Sequence, residues 1–159
     1  MSSLGHLMQD LAEAMDVPFQ VERGVYSLEM PTASGRSQLV QVALQDSSLG
    51  EEMILFYTPV GPVSDGIDWR RLLEMNVGTI YARIGIIADY IVVVAGQMLG
   101  TAELTEVIAM LTEVGTLGDR LESSFSAHRT ASKSPFQTAG IACPTTEPQR
   151  YSLSDANRR

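Results

Sequence analysis

Residues that enzymes and metal sites depend on are scarce in this chain of 159 residues. It has one cysteine, Cys143, one lysine, Lys133, and two histidines, His6 and His128. A single cysteine excludes an internal disulfide and a multi-cysteine metal site. No Gly-x-x-x-x-Gly-Lys segment is present to bind phosphate, and no Gly-x-Ser-x-Gly segment is present to carry a nucleophile. We therefore expect a non-enzymatic protein with no catalytic residues, no metal and no cofactor.

Positive charge and long apolar runs are also scarce. The chain has 11 basic residues against 19 acidic ones, a net charge of −8. Nucleic-acid binding requires an excess of Lys and Arg, so we expect no nucleic-acid partner. The longest uninterrupted apolar run, Tyr90 to Ala95, is far shorter than the ~20 residues that span a bilayer. Because residues 1–16 also lack the basic start of a signal peptide, we expect a cytoplasmic protein that does not insert into membranes.

The distribution of charge divides the chain in two. Residues 1–127 contain six Arg against 17 acidic residues, whereas residues 128–159 contain five bases against two acids. The second stretch is rich in Ser, Thr, Pro and Ala, and it has little apolar surface to bury. The sequence therefore predicts one domain over residues 1–127. It predicts a disordered basic tail over residues 128–159, which can fold back weakly on the acidic domain.

The spacing of apolar residues predicts the order α-β-β-β-α-β-β-α. The first helix spans residues 2–16 and ends before Pro18. A second, short helix begins at an N-cap, Ser64 or Asp68, and ends at Gly78 in a left-handed cap. The last helix is capped by Thr101 and runs over 103–125. The predicted strands are Phe19 to Met30, Gln38 to Gln45, Met53 to Tyr57, Thr79 to Ile87 and Tyr90 to Met98.

Short connections between these strands favour antiparallel pairing. Only Ala88 and Asp89 separate the last two strands, which indicates a tight hairpin. The predicted class is therefore α+β, with one twisted antiparallel sheet and helices packed mainly on one face. Several strands, such as Met53 to Tyr57 and Tyr90 to Met98, are apolar on both faces. Since helices of one chain cover one face, this pattern favours a second polypeptide as a partner.

This order of elements, together with the size and acidity, resembles the type III secretion chaperone superfamily. The superfamily is also called the Tir-chaperone or CesT-like fold, and YbjN-like proteins are its relatives. The resemblance covers roughly residues 2–126. It is most specific in Leu72-Leu73-Glu74-Met75-Asn76, the strand pair 79–98 and the Leu-rich helix 103–125. The basic tail departs from the family pattern.

The resemblance implies a bacterial cytoplasmic homodimer that binds secretion effectors. Such a chaperone holds the N-terminal region of an effector extended and partly unfolded, competent for export and without catalysis. The implied dimer interface comprises Trp69, Leu72, Leu73, Ile80, Ala82 and Ile84. The implied client-binding residues are Leu4, Met8, Tyr26, Leu28, Met30, Val40 and Val42.

Two other functions are compatible with the sequence. The same fold could serve a YbjN-like regulatory or stress-related binding protein with no secretion role. A small enzyme would instead require a compact pocket in which Glu74, Arg83 and Asp89 converge.

Overall fold

A computed structural model describes residues 3–33, 35–48 and 50–128, and it confirms the α+β class. Six antiparallel strands form one sheet in the order β1-β2-β3-β4-β6-β5. The strands are β1 (Phe19–Glu22), β2 (Val25–Pro31), β3 (Ser37–Asp46), β4 (Glu52–Pro62), β5 (Arg83–Ile87) and β6 (Tyr90–Met98). The helices are α1 (Leu4–Met15), α2 (Trp69–Met75) and α3 (Leu104–His128), with 3₁₀ turns at Asn76–Gly78 and Leu99–Thr101. The predicted tail lies outside the described residues, apart from His128.

Helices α1 and α3 pack on one face of the sheet, which we call the inner face. Register places Val42 opposite Phe56, and Phe56 opposite Ala95, so these side chains share that face. They belong to one core with Leu11 of α1 and Leu111 of α3. The opposite, outer face carries residues of the other parity in each strand.

Glycines in α3 allow it to approach the sheet closely. A Cβ atom on Gly118 would lie 2.5 Å from Cγ2 of Thr58, and one on Gly115 would lie 3.3 Å from Cβ of Met30. Thr58 is fully buried, where its hydroxyl donates to the Leu39 carbonyl at 2.7 Å and accepts from Gln38 Nε2 at 2.8 Å. The close helix–sheet contact therefore lies directly above a satisfied buried polar pair.

The first two strands correct one sequence prediction. The segment from Phe19 to Met30 is a hairpin, because Arg23 and Gly24 adopt positive φ angles of 51° and 81° and reverse the chain. Two consecutive left-handed residues form the type I′ turn that suits a two-residue hairpin. The full order is thus α-β-β-β-β-α-β-β-α. The Ala88-Asp89 hairpin turn is confirmed, and both of its residues also have positive φ.

Several predicted boundaries were wrong. Strand β4 continues through the predicted loop to Pro62, with an irregularity between Pro59 and Gly61. Strand β5 begins only at Arg83. Gly78 has no positive φ, because α2 ends at Met75 and continues as a 3₁₀ turn. Thr101 lies in the 3₁₀ turn before α3 and does not cap that helix.

Two helix starts follow local capping rules. The Ser3 hydroxyl accepts from the His6 amide at the start of α1. Asp68 is the N-cap of α2, as predicted, and its carboxylate accepts from the Arg71 amide at 3.0 Å.

Candidate functional site

Exposed apolar residues concentrate in α2, in β5 and in the segment that joins them. We call the set Trp69, Leu73, Val77, Ile80 and Ile86 the α2 patch. Leu73 is 65% exposed, Val77 88% and Ile80 76%. Trp69, Leu73 and Val77 follow one another at intervals of four, which places them on one stripe of α2 and its 3₁₀ extension. Sets of several large exposed apolar residues mark interaction surfaces more often than single exposed apolar residues do.

Asn76 attaches the end of α2 to the free edge of β5. Its Oδ1 accepts from the Ile84 amide at 2.7 Å, and its Nδ2 donates to the Ile84 carbonyl at 3.4 Å. In an antiparallel hairpin, every second residue of the edge strand points these groups away from its neighbour. The Asn76 side chain therefore occupies an edge position where another strand would bind.

Glu113 of α3 fixes the segment between α2 and β5. Its carboxylate accepts hydrogen bonds from three consecutive amides, those of Ile80 at 2.8 Å, Tyr81 at 2.6 Å and Ala82 at 2.7 Å. These bonds explain why residues 79–82 are not part of β5. The amides of Ile80, Tyr81 and Ala82 point to a carboxylate on α3 and not to a neighbouring strand.

The same contacts determine how Glu113 titrates. Burial raises the pKa of Glu113, but the amides of Ile80, Ala82 and Tyr81 and the positive charge of Arg83 outweigh it and lower the pKa below its ordinary value. Glu113 is thus held ionised, and its hydrogen bonds attach residues 80–82 to α3.

Arg83 and Thr79 complete this connection. Arg83 Nη1 donates to the Ala82 carbonyl at 2.6 Å and to Thr79 Oγ1 at 3.1 Å. The Thr79 hydroxyl also lies 2.6 Å from the Ala82 carbonyl oxygen. Alongside, a cavity of about 450 Å³ lies between α3 and residues 78–79, with Thr112, Glu113, Leu117 and Arg120 in its wall. Gly78 and Thr79 in the wall of this cavity lie between Val77 and Ile80 of the α2 patch, on a segment whose backbone is fixed.

The structure divides the predicted dimer residues into two groups. Trp69, Leu73 and Ile80 are exposed, whereas Leu72 and Ala82 are buried in the core and Ile84 is half-buried. Sequence reasoning missed Val77 and Ile86. Val77 lies within the predicted second helix, and the four-residue spacing from Trp69 through Leu73 was the signal that could have found it.

The predicted client-binding residues lie mostly inside the molecule. Leu4 and Met8 of α1 are buried against the core, Leu28, Met30, Val40 and Val42 of the sheet are buried beneath the helices, and only Tyr26 is partly exposed. They form the inner-face core, and the structure offers a client no open groove at these positions. The client-binding surface proposed below therefore lies elsewhere.

The three residues required by the enzyme alternative are engaged separately. Glu74 pairs with Arg70 at 2.9 Å on the exposed surface of α2. Arg83 binds the carbonyl of Ala82, and Asp89 lies in the β5–β6 turn, where its carbonyl accepts from the Val63 amide. Within residues 3–33, 35–48 and 50–128, no three His, Cys, Asp or Glu side chains cluster as metal ligands would.

Comparison with known proteins adds no family assignment. No protein-family model matches the chain, and no curated protein matches it significantly. Among the described helices, none is long and apolar enough to cross a bilayer.

Proposed function

We propose that this chain is a non-enzymatic, homodimeric chaperone of the bacterial cytoplasm that binds secretion effectors as extended segments. The observation on which this proposal depends is the α2 patch, an exposed apolar surface on a connection that Glu113 and Asn76 hold in place. A fixed apolar surface suits protein binding, because little conformational entropy is lost on association. The resemblance to type III secretion chaperones supplies the functional class.

A second copy of the chain is the proposed partner of the α2 patch. The resemblance implies a dimer interface in this region, and Trp69, Leu73 and Ile80 of that interface are exposed. In a two-fold symmetric dimer the same patch on each subunit faces its counterpart, so one apolar surface covers the other.

The client is proposed to bind at the opposite edge of the sheet. Strand β1 is an edge strand that pairs only with β2, and Val21 on it is exposed. Because Glu22 and Val25 close the hairpin, the alternation of antiparallel bonds directs the N–H and C=O of Val21 away from β2. An extended effector segment could add there as a further strand. At β5, by contrast, Asn76 already occupies the outward groups of Ile84.

Light scattering of two matched variants tests the dimer. Leu73→Glu places a charge in the α2 patch, where dimerisation would bury it unpaired, so we expect a monomer. Leu44→Glu alters an exposed leucine of β3 outside the patch and should remain a dimer. Wild-type protein that is monomeric at micromolar concentration would contradict the dimer, whereas a dimeric Leu73→Glu variant would show that the interface lies outside the α2 patch.

Client binding is tested by purifying the full chain from the cells that make it and identifying co-purified proteins by mass spectrometry. We expect a secreted protein whose N-terminal region is protected from protease by the complex, without added nucleotide. Val21→Pro removes only an outward N–H, which an edge strand tolerates, and should abolish this protection while preserving the dimer. Val21→Thr, which keeps the N–H, should behave as wild type.

Capture of non-secreted proteins alone would contradict the secretion role and favour the YbjN-like alternative. Unchanged protection by Val21→Pro would exclude strand addition at β1.

A further inference from the structure

The outer face of the sheet is apolar over β4 and β6, although α1 and α3 pack on the other side. Tyr57 is 3% exposed and Val92 only 1%, yet neither belongs to the core cluster that the helices complete. Register places Tyr57 opposite Val94 and Val92 opposite Pro59, so these four residues share the outer face. Leu39, on the same face of β3, is 46% exposed.

We infer that this outer face is covered by the chain's own C-terminal segment, residues 129–159. This inference does not depend on the proposed function, because it concerns a contact within one molecule. It goes beyond the sequence-based expectation by identifying the surface to which the segment binds.

The position at which α3 ends supports this assignment. Arg36, in the β2–β3 connection, pairs with the buried Asp119 of α3 and also donates to the hydroxyl of Ser123. These contacts hold the C-terminal part of α3 at the end of the sheet where β2 ends and β3 begins. The segment begins one residue after α3 ends at His128. Its 31 residues reach up to about 100 Å when extended, whereas the six strands are about 24 Å across. The segment is therefore long enough to pass around the edge and cross the whole outer face.

Charge and composition support the same occupant. Residues 129–159 contain five bases and two acids, whereas residues 1–127 have 17 acids and six Arg. On the outer face, Glu22 and Glu29 are exposed, while the guanidinium of Arg83 is engaged by backbone carbonyls. The segment also carries four isolated apolar side chains, Phe136, Ile141, Tyr151 and Leu153. Bases suit the acidic surroundings, and spaced apolar side chains suit a flat apolar sheet face.

A spin label on the native Cys143 tests the contact in the full-length chain, because this cysteine is the only one in the sequence. The readout is the loss of methyl NMR signal near the label. We expect the signals of Leu39 and Leu55, on the outer face, to be at least halved, while Leu73 in the α2 patch is little affected.

The matched control has the same length and the same attachment point. In it, Phe136, Ile141, Tyr151 and Leu153 are all replaced by serine, so the label stays tethered but the apolar anchors are gone. The signals of Leu39 and Leu55 should recover most of their intensity. If the control shows the same attenuation as wild type, the label is merely tethered nearby and the inference is wrong.

Mixing distinguishes this occupant from a second copy. Spin-labelled protein without isotopes is mixed with isotope-labelled protein without the spin label. A contact within one molecule leaves Leu39 and Leu55 unaffected in the mixture. Attenuation there would show that another copy covers the outer face, and it would overturn the proposal.

Discussion

Glu113 shows how one side chain determines the shape of a distant segment. It lies on α3, more than 30 residues along the chain from the three amides that it binds. Thr79, Ile80 and Tyr81 have the β-branched and aromatic character of a strand, so local sequence predicts β structure there. The hydrogen bonds to the Glu113 carboxylate keep this segment out of the strand instead. A pattern of neighbouring residues cannot predict a contact between residues more than 30 positions apart.

The lowered pKa of Glu113 gives a pH-dependent prediction. A carboxylate with a lower pKa in the folded state stabilises the fold fully above its unfolded pKa, about 4.3. That contribution is lost as pH falls through the folded pKa. Glu113→Gln cannot titrate and places an amide where three donors point, so we expect it to unfold about 1–3 kcal/mol more easily at neutral pH. Urea unfolding at several pH values should show the difference from wild type shrinking below pH ~4; a difference independent of pH would contradict this account.

Gly118 gives a second prediction at this scale. Alanine has a helix propensity about 1 kcal/mol better than glycine. Its Cβ, however, would lie 2.5 Å from the buried methyl of Thr58, whose hydroxyl is held by Leu39 and Gln38. Overpacking costs about 1–3 kcal/mol, so we expect Gly118→Ala to lose up to about 2 kcal/mol of stability. Thr116→Ala, at an exposed position of the same helix, should be neutral or slightly stabilising in the same thermal unfolding measurement.

At the scale of elements, sequence patterns worked where local chemistry decides the structure. Strand β3 was predicted within one residue at each end, because its apolar and polar residues alternate over its length. The hairpin at Ala88 and Asp89 was also found. The turn at Arg23 and Gly24 was missed, since Arg is rarely the first residue of such a turn. The two strands that flank it were therefore predicted as a single strand.

Asn76 supplies the prediction at this scale, because its side chain joins α2 to β5. Asn76→Ala loses both hydrogen bonds to Ile84 and leaves an open sheet edge, so we expect the Ile84 amide to exchange with solvent about tenfold faster. Hydrogen exchange followed by NMR measures this directly. Asn76→Asp keeps the acceptor for the Ile84 amide but loses the donor to the Ile84 carbonyl. Its Ile84 exchange rate should therefore lie between those of wild type and Asn76→Ala. Equal protection of Ile84 in wild type and Asn76→Ala would show that the contact contributes nothing.

At the scale of the whole molecule, the sequence predicted the class and the antiparallel sheet but not which surfaces stay exposed. Alternation assigned Leu28, Val40 and Val42 to one face correctly. It could not tell that α1 and α3 cover this part of the face, so it assigned residues of the core to the client-binding surface. Exposure depends on the three-dimensional path of the helices, and one sequence does not specify it.

The proposed dimer makes stability depend on concentration. When only the folded chain associates, mass action raises the melting temperature as protein concentration increases. We expect this rise for the wild-type protein in calorimetry, and a melting temperature independent of concentration for Leu73→Glu. A wild-type melting temperature that stays constant over a hundredfold range of concentration would contradict dimerisation.

The two ends of the sheet differ in a way that bears on self-assembly. Head-to-tail growth of β-sheet fibrils requires each molecule to offer two open edges, one to receive a neighbour and one to be received. Here Asn76 occupies the outward N–H and C=O of Ile84 on the β5 edge, whereas Val21 on the β1 edge directs the same groups outward. An incoming strand would have to displace Asn76 to pair along β5, so strand addition at that edge is disfavoured. The same asparagine therefore works against continuous sheet growth while leaving β1 available for recognition.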